Sequence, residues 1–122
     1  VFLNNFNLEI FNNSGVILDA KISQPLIESI FSKESPLHDG AMVVSGHKIH
    51  AASCILPVSS NQDIPKSAGL RHRAGLGATE MTDASVFIVS EESGQIAFAY
   101  QGKLSRNLSE QQLLELLNEH YK

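Results

Sequence analysis

Four short apolar runs, joined in two pairs by turn sequences, constrain this 122-residue chain more than any other feature. Gly40 through Val44 and Lys48 through Leu56 flank Ser45-Gly46-His47; Ser85 to Ser90 and Gln95 to Tyr100 flank Glu92-Ser93-Gly94. Short apolar runs rich in β-branched residues and separated by a glycine-containing turn read as β-hairpins. Gln101-Gly102-Lys103 is a further turn. Ser23 can cap a helix with Pro25 in its first turn, and Leu26, Ile27, Ile30 and Phe31 fall on one apolar face that reads as core. Ser35-Pro36 should break that helix, because the residue before proline is pushed out of the helical region. Pro57 ends the second strand, and a polar loop runs from Val58 to Ser67. A short helix is expected over Ser67 to Ala74, capped by Ser67 and closed by Gly75 and Gly77. Ser109 and Gln112 form a capping box for a last helix, with Leu113, Leu114, Leu116, Leu117 and Tyr121 on its apolar side.

The beginning of the chain is less patterned. Leu8-Glu9-Ile10-Phe11 reads as a short strand or the end of an upstream helix, Asn12-Asn13-Ser14-Gly15 as a turn, and Val16-Ile17-Leu18 as a short strand or extended connection. Residues 1–14 are expected to be a linker or the end of an upstream segment. Hairpins separated by a few helices give one α/β (α+β) domain around a mixed sheet.

Composition narrows the function classes. With 43% hydrophobic and 18% charged residues the chain is a folded domain, and no apolar run approaches the roughly 18 to 20 residues that span a bilayer. Its opening on Val1 rather than Met suggests a piece of something longer, and the missing portion could carry membrane helices. The single cysteine, Cys54, excludes an internal disulfide and reads as a small core residue. A formal charge of −4 argues against general nucleic-acid binding, so an anionic substrate must be held by a local cluster of cations.

That cluster is Arg71-His72-Arg73, set between Gly69-Leu70 and Ala74-Gly75-Leu76-Gly77. Guanidinium groups present paired N–H donors to phosphate oxygens, and flanking glycines let bare backbone approach. Some thirty residues earlier, Pro36-Leu37-His38-Asp39-Gly40-Ala41 places a carboxylate beside a glycine in front of a strand. Together they suggest a polyphosphate held by arginines, with an acid left for a metal ion or for proton transfer. His38 is either a second metal ligand or a hydrogen-bonded structural histidine. His47 and His50 lack the spacing of a helical metal pair and read as surface residues, and His120 suits the C-terminal end of a helix. No zinc site is expected.

The pair LHDGA and RHR, with Cys54-Ile55-Leu56-Pro57 between them and Thr82-Asp83-Ala84, Ile88-Val89-Ser90-Glu91-Glu92 and Gly94 after them, resembles the diadenylate cyclase (DAC) domain from about Gly15 onward. It is most similar to the membrane-anchored type. The resemblance implies a central mixed sheet flanked by helices on both sides, and an enzyme that joins two ATP molecules into cyclic di-AMP with loss of two pyrophosphates. It implies catalytic roles for Asp39, Gly40, Ala41, Arg71, His72 and Arg73, the acid at the ribose 3′-hydroxyl and the RHR run on the triphosphate. Gly40 would let backbone approach the nucleotide and Ala41 would keep the wall small. Substrate contacts are implied at Leu56, Leu70, Thr79 and Ser90 as well as Arg71, His72 and Arg73. Mg²⁺ or Mn²⁺ would bridge the phosphates, held by Asp39 with His38 and Glu92. Two departures stand out: Ile55 where relatives often carry an aromatic residue, and Leu70 where they often carry Thr, which removes a hydroxyl from that position.

A symmetric product made from two substrates needs two sites facing one another, so a homodimer is expected to be the active species. The resemblance also implies a cytoplasmic domain of a membrane-anchored protein. Two other classes compete: a nucleotide-binding regulatory module without turnover, and a nucleotide hydrolase in which water replaces the ribose hydroxyl.

Overall fold

The structure, a computed structural model, describes residues 1–3, 15–60, 69–90 and 93–120. In chain order these form β1 (Phe2–Leu3), β2 (Val16–Lys21), α1 (Gln24–Ile30), β3 (Ala41–Ser45), β4 (Lys48–Cys54), α2 (Leu70–Met81), β5 (Ser85–Val89), β6 (Ile96–Tyr100), β7 (Lys103–Ser105) and α3 (Glu110–His120). The strands make one sheet of seven in the order β2-β4-β3-β1-β5-β6-β7. Every neighbouring pair is antiparallel except β1 and β3, so the sheet is mixed, as expected.

The central position belongs to the first residues of the chain. Expected to be a linker or the end of an upstream segment, residues 1–3 join the β2-β4-β3 half to the β5-β6-β7 half: Phe2 lies opposite both Val44 and Ser85. Val1 donates its amino group to the Met42 carbonyl at 2.9 Å and accepts from Val44 N–H at 2.7 Å. Three residues are too few to show strand periodicity, so partners distant in sequence decide this placement. The readings made for residues 4–14 and for Ser67 lie outside the described residues.

Helices cover both faces, because alternation along the strands sends side chains to two separate cores. Val43, Ala51, Val86, Ile88, Ala97 and Ala99 pack with Leu76 and Ala78 of α2. Met42, Ile49 and Ala52 pack with Leu26, Ile27 and Ile30 of α1. Phe98, between Ala97 and Ala99, points away from α2 and meets the ring of His120 in α3 at 5.0 Å. Phe87 packs beside it, the ring centroids 4.9 Å apart and the planes tilted by 46°. Cys54 is buried at 1% exposure, as a core residue should be.

Local signals set several boundaries. Ser23 caps α1, its hydroxyl accepting from Leu26 N–H at 3.2 Å, with Pro25 in the first turn. That helix stops at Ile30, well before Ser35-Pro36, because successive turns take over: Ser32 N–H bonds Ser29, Ser35 N–H bonds Ser32 and His38 N–H bonds Ser35. Phe31, expected in the apolar face, is the C-cap and is 46% exposed. The β4 strand ends at Cys54 rather than Leu56, after Ser53 takes a left-handed backbone at φ 58°. Val89, expected to be buried in β5, is 49% exposed because it faces away from α2 at the strand end. Gln101 and Gly102 are both left-handed (φ 51° and 74°), the geometry of a tight hairpin turn, and they lead into β7, for which the sequence reading had only the turn. Ser109 and Gln112 cap α3 reciprocally at 2.8 and 3.1 Å.

The largest correction concerns α2. Gly75 and Gly77 do not close it; they lie buried inside a helix that starts after Gly69 and runs to Met81. A Cβ on Gly75 would come within 2.9 Å of Ile88 Cγ1 and 3.2 Å of Val86 Cγ1, and one on Gly77 would overlap the Pro57 carbonyl oxygen. The glycines are there for close packing of helix on sheet and on the 57–59 segment. The stop comes at Thr82, whose hydroxyl bonds the Ala78 carbonyl at 2.7 Å and accepts from Ala84 N–H at 3.1 Å.

Candidate active site

Sheet register brings the two motifs to one end of the molecule. Val44 and Ser85 both lie level with Phe2, so the start of β3 and the end of β5 point the same way. Only β1 separates those strands, a span of roughly 10 Å at about 4.8 Å per strand. Asp39-Gly40-Ala41 leads into β3 there. At the same end Arg71 Nη1 donates to the Val89 carbonyl at the end of β5, at 2.6 Å. The segment after β4 links them: Ala41 pairs with Cys54, and Ser59 N–H bonds the Arg73 carbonyl at 3.0 Å.

On the acidic side, the Asp39 side chain is 88% exposed and the neighbouring His38 37%. His38 Nδ1 lies 2.7 Å from the Ser35 carbonyl, which can only accept, so Nδ1 carries a proton. In the neutral ring Nε2 is then a lone pair, 3.3 Å from Asp39 Oδ1. The two atoms are close enough to be ligands of one cation. That donor pair fits a divalent ion that takes few protein ligands and completes its shell with water and phosphate oxygens. No group of three or more His, Cys, Asp or Glu side chains able to hold a metal occurs among the described residues, and Glu92 lies outside them. Gly40 has φ 94°, and a Cβ there would come within 2.8 Å of the Cys54 carbonyl oxygen and 2.9 Å of the Ser53 carbonyl carbon. The glycine is thus required by the fold itself, where β3 begins against the bulged end of β4.

On the cationic side, α2 carries Arg71 on its exposed surface and His72 turned inward at 8% exposure. Burial, then the Arg106 charge, then the Arg71 charge push the His72 pKa below its ordinary value. At neutral pH His72 is therefore a hydrogen-bonding imidazole rather than a third cation. It lines a recess with Ser90, Ser93, Gln95, Arg106 and Asn107. Ser90 Oγ accepts from Ser93 N–H at 3.3 Å. The α2 N-cap is Gly69, which has no side chain to cap the first turn.

The remaining candidates divide. Leu70 opens α2 at 71% exposure, on the same end as the motifs. Leu56 is 8% exposed in the α2 core, and Ile55 beside it is 72% exposed and forms the surface there. Thr79 is not brought to the cluster. It lies eight residues along α2 from Arg71, about 12 Å at the helical rise. Its buried hydroxyl donates to the Leu76 carbonyl at 2.8 Å and accepts from Gly102 N–H at 3.2 Å, at the opposite end of the sheet. Arg106, Gln95 and Asn107 went unnoticed in the sequence, where a lone Arg before a helix cap carries no pattern.

Comparison with known proteins identifies the family and the fold. The family model described as "DAC: DisA bacterial checkpoint controller nucleotide-binding" matches residues 1–104. The chain is 44% identical over 109 residues to the cyclic di-AMP synthase CdaA of Bacillus subtilis, covering 89% of this chain and 40% of that protein. It is 43% identical over 104 residues to a diadenylate cyclase of Listeria monocytogenes, covering 85% of this chain and 38% of the relative. It spans less than half the length of these curated relatives. Among solved structures, a double mutant of DacA from Staphylococcus aureus superposes with a TM-score of 0.94 at 44% identity, over 98% of this chain and 80% of that one. A hypothetical membrane spanning protein from Bacillus cereus gives 0.83 at 39% identity, over 88% and 53%. On sequence and fold alike, the chain belongs to the DAC family, the DisA bacterial checkpoint controller nucleotide-binding domains.

Proposed function

We propose that this chain is a diadenylate cyclase that condenses two ATP molecules into cyclic di-AMP with release of two pyrophosphates. The observation that carries the reading is the meeting of Asp39-Gly40-Ala41 and Arg71-His72-Arg73 at one end of the sheet, two strands apart. Relatives named for this reaction, at 44% and 43% identity, support it. Each 3′-hydroxyl attacks the other nucleotide's α-phosphorus and pyrophosphate leaves. Most of the acceleration comes from alignment and charge neutralisation. Arg71 and Arg73 hold phosphate oxygens, and His72 donates a hydrogen bond. Asp39, exposed at the sheet end, accepts the hydroxyl proton. Ile55 and Leu70 offer apolar surface to the adenosine, with Leu56 packed behind.

His38 and Asp39 would hold Mg²⁺ or Mn²⁺, which when bound neutralises phosphate charge and lowers the hydroxyl pKa. One chain has one copy of each motif, so the active species is a homodimer with two ATP sites face to face. No helix among the described residues is long and apolar enough to cross a membrane. We assign this domain to the cytoplasmic side of a membrane-anchored protein, a reading supported by its likeness to a hypothetical membrane spanning protein.

The test is incubation of the purified chain with ATP and either metal, with products resolved by chromatography and mass spectrometry, beside Asp39→Asn and Arg71→Ala. Cyclic di-AMP from the parent and little from either variant is expected. ATP bound by a dimeric chain without cyclic product would point to the non-catalytic module, and AMP or ADP to a hydrolase.

A further inference from the structure

Between α1 and β3 the stretch Ser35-Pro36-Leu37-His38-Asp39-Gly40 is anchored at both ends and in its middle. Leu37 packs against the core of Ile30, Ile49 and Ala52. Gly40, at φ 94°, is fitted against the Ser53 and Cys54 backbone. Ser35, half-buried, is the remaining anchor. Its N–H donates to the Ser32 carbonyl at 2.9 Å, and its hydroxyl accepts from Leu37 N–H at 3.1 Å. Its carbonyl accepts twice from one residue, from His38 N–H at 3.3 Å and from the ring Nδ1–H of His38 at 2.7 Å. Both lone pairs of that oxygen are thereby used. Pro36 has no N–H to compete for them and holds Ser35 out of the helical region.

The consequence falls on the imidazole. With the proton committed on Nδ1, the neutral ring keeps its lone pair on Nε2, 3.3 Å from Asp39 Oδ1. A histidine that ligates a metal through one ring nitrogen is oriented by the group to which the other nitrogen donates, often a backbone carbonyl. Here that carbonyl belongs to Ser35, and the hydroxyl of the same residue closes the turn that aims it.

We propose that Ser35 is a positioning residue for the divalent cation: its hydroxyl holds the turn that locks His38 as the Nδ1–H tautomer and presents Nε2 beside Asp39. The proposal rests on the reading of His38 and Asp39 as metal ligands. It adds a residue outside both motifs, one that acts through His38 and not on the metal or the nucleotide directly.

Nuclear magnetic resonance of the isotope-labelled chain tests this without turnover, in a mildly alkaline buffer that keeps the ring neutral. Long-range correlations of the His38 ring, assigned by their loss in His38→Gln, report the tautomer. Titration with Mn²⁺ alone reports affinity, through paramagnetic broadening of amide signals around Gly40. The parent should carry its proton on Nδ1. Ser35→Ala should mix the two tautomers and weaken Mn²⁺ binding roughly 10-fold, the lower end of the range for partners that support a metal ligand. Ser35→Thr keeps the hydroxyl and should restore both. A parent ring protonated on Nε2 would overturn the proposal, and that observation needs no variant to fold. Parent-like Mn²⁺ affinity in a folded Ser35→Ala chain would also overturn it: if His38→Gln loses the ion, the role of Ser35 alone falls, and if His38→Gln keeps it, the metal reading falls too. Mn²⁺ binding that depends on Ser35 in a chain that makes no cyclic di-AMP would keep the proposal and remove the cyclase reading.

Discussion

The helices α2 and α3 are nearly equal in length, 12 and 11 residues, and opposite in every other respect. α3 has the stronger amphipathic pattern, a reciprocal capping box and four leucines on one side, yet none of its residues is fully buried and Leu114 is 54% exposed. α2 has little apolar periodicity and two glycines that weaken a helix, yet six of its residues are buried. The difference is in what limits each helix. α3 follows from local chemistry and lies over the sheet edge with a margin of open surface. α2 is selected for how closely its backbone can approach β5 and the 57–59 segment, so small residues are worth more there than large apolar ones. That close approach also fixes Arg71 against Val89 and turns His72 into the recess, so packing and site are one construction.

The contrast can be broken most sharply at Gly77. Gly77→Ala should cost about 4 kcal/mol or more in a denaturant titration, because the new Cβ meets the Pro57 carbonyl, backbone that cannot rotate away. A loss below 1 kcal/mol would mean that α2 is not seated as described. Gly75→Ala is milder, about 1 to 2 kcal/mol, because the atoms it meets belong to the side chains of Ile88 and Val86 and can shift. Smallest of all, Leu114→Ala in α3 should stay within about 0.5 kcal/mol, as for other exposed positions. A cost above 1.5 kcal/mol there would show that α3 is held more firmly than its exposure implies.

Much of the fold was legible in advance, for reasons that differ by element. Ser23 and Ser109 mark helix starts because a cap is an interaction over three residues. Gly46, at φ 62°, marks a hairpin because a tight turn must go left-handed somewhere. The motifs LHDGA and RHR could be read as chemistry because several separated motifs resemble those of one family in the same order; alone, an Asp-Gly pair is more often a turn. Other features misled. Gly75 and Gly77 carry the same local signal as a helix end, and only their neighbours in space show that they are packing glycines. Thr79 shares a helix with Arg71 but sits at the other end of it, its hydroxyl already engaged by Leu76 and Gly102.

By itself, then, the sequence determined what depends on a few adjacent residues: caps, turns, hairpins, the mixed-sheet class and the presence of the two motifs. Only the tertiary structure decided that residues 1–3 form the middle strand and that α2 runs through its glycines to Met81. It alone brought Asp39 and Arg71 to one sheet end and carried Arg106 across to His72. Each of these is a contact between segments far apart in the chain, whose energy comes from burial and charge on both partners at once. No stretch of sequence contains both partners, so no local pattern could have announced them.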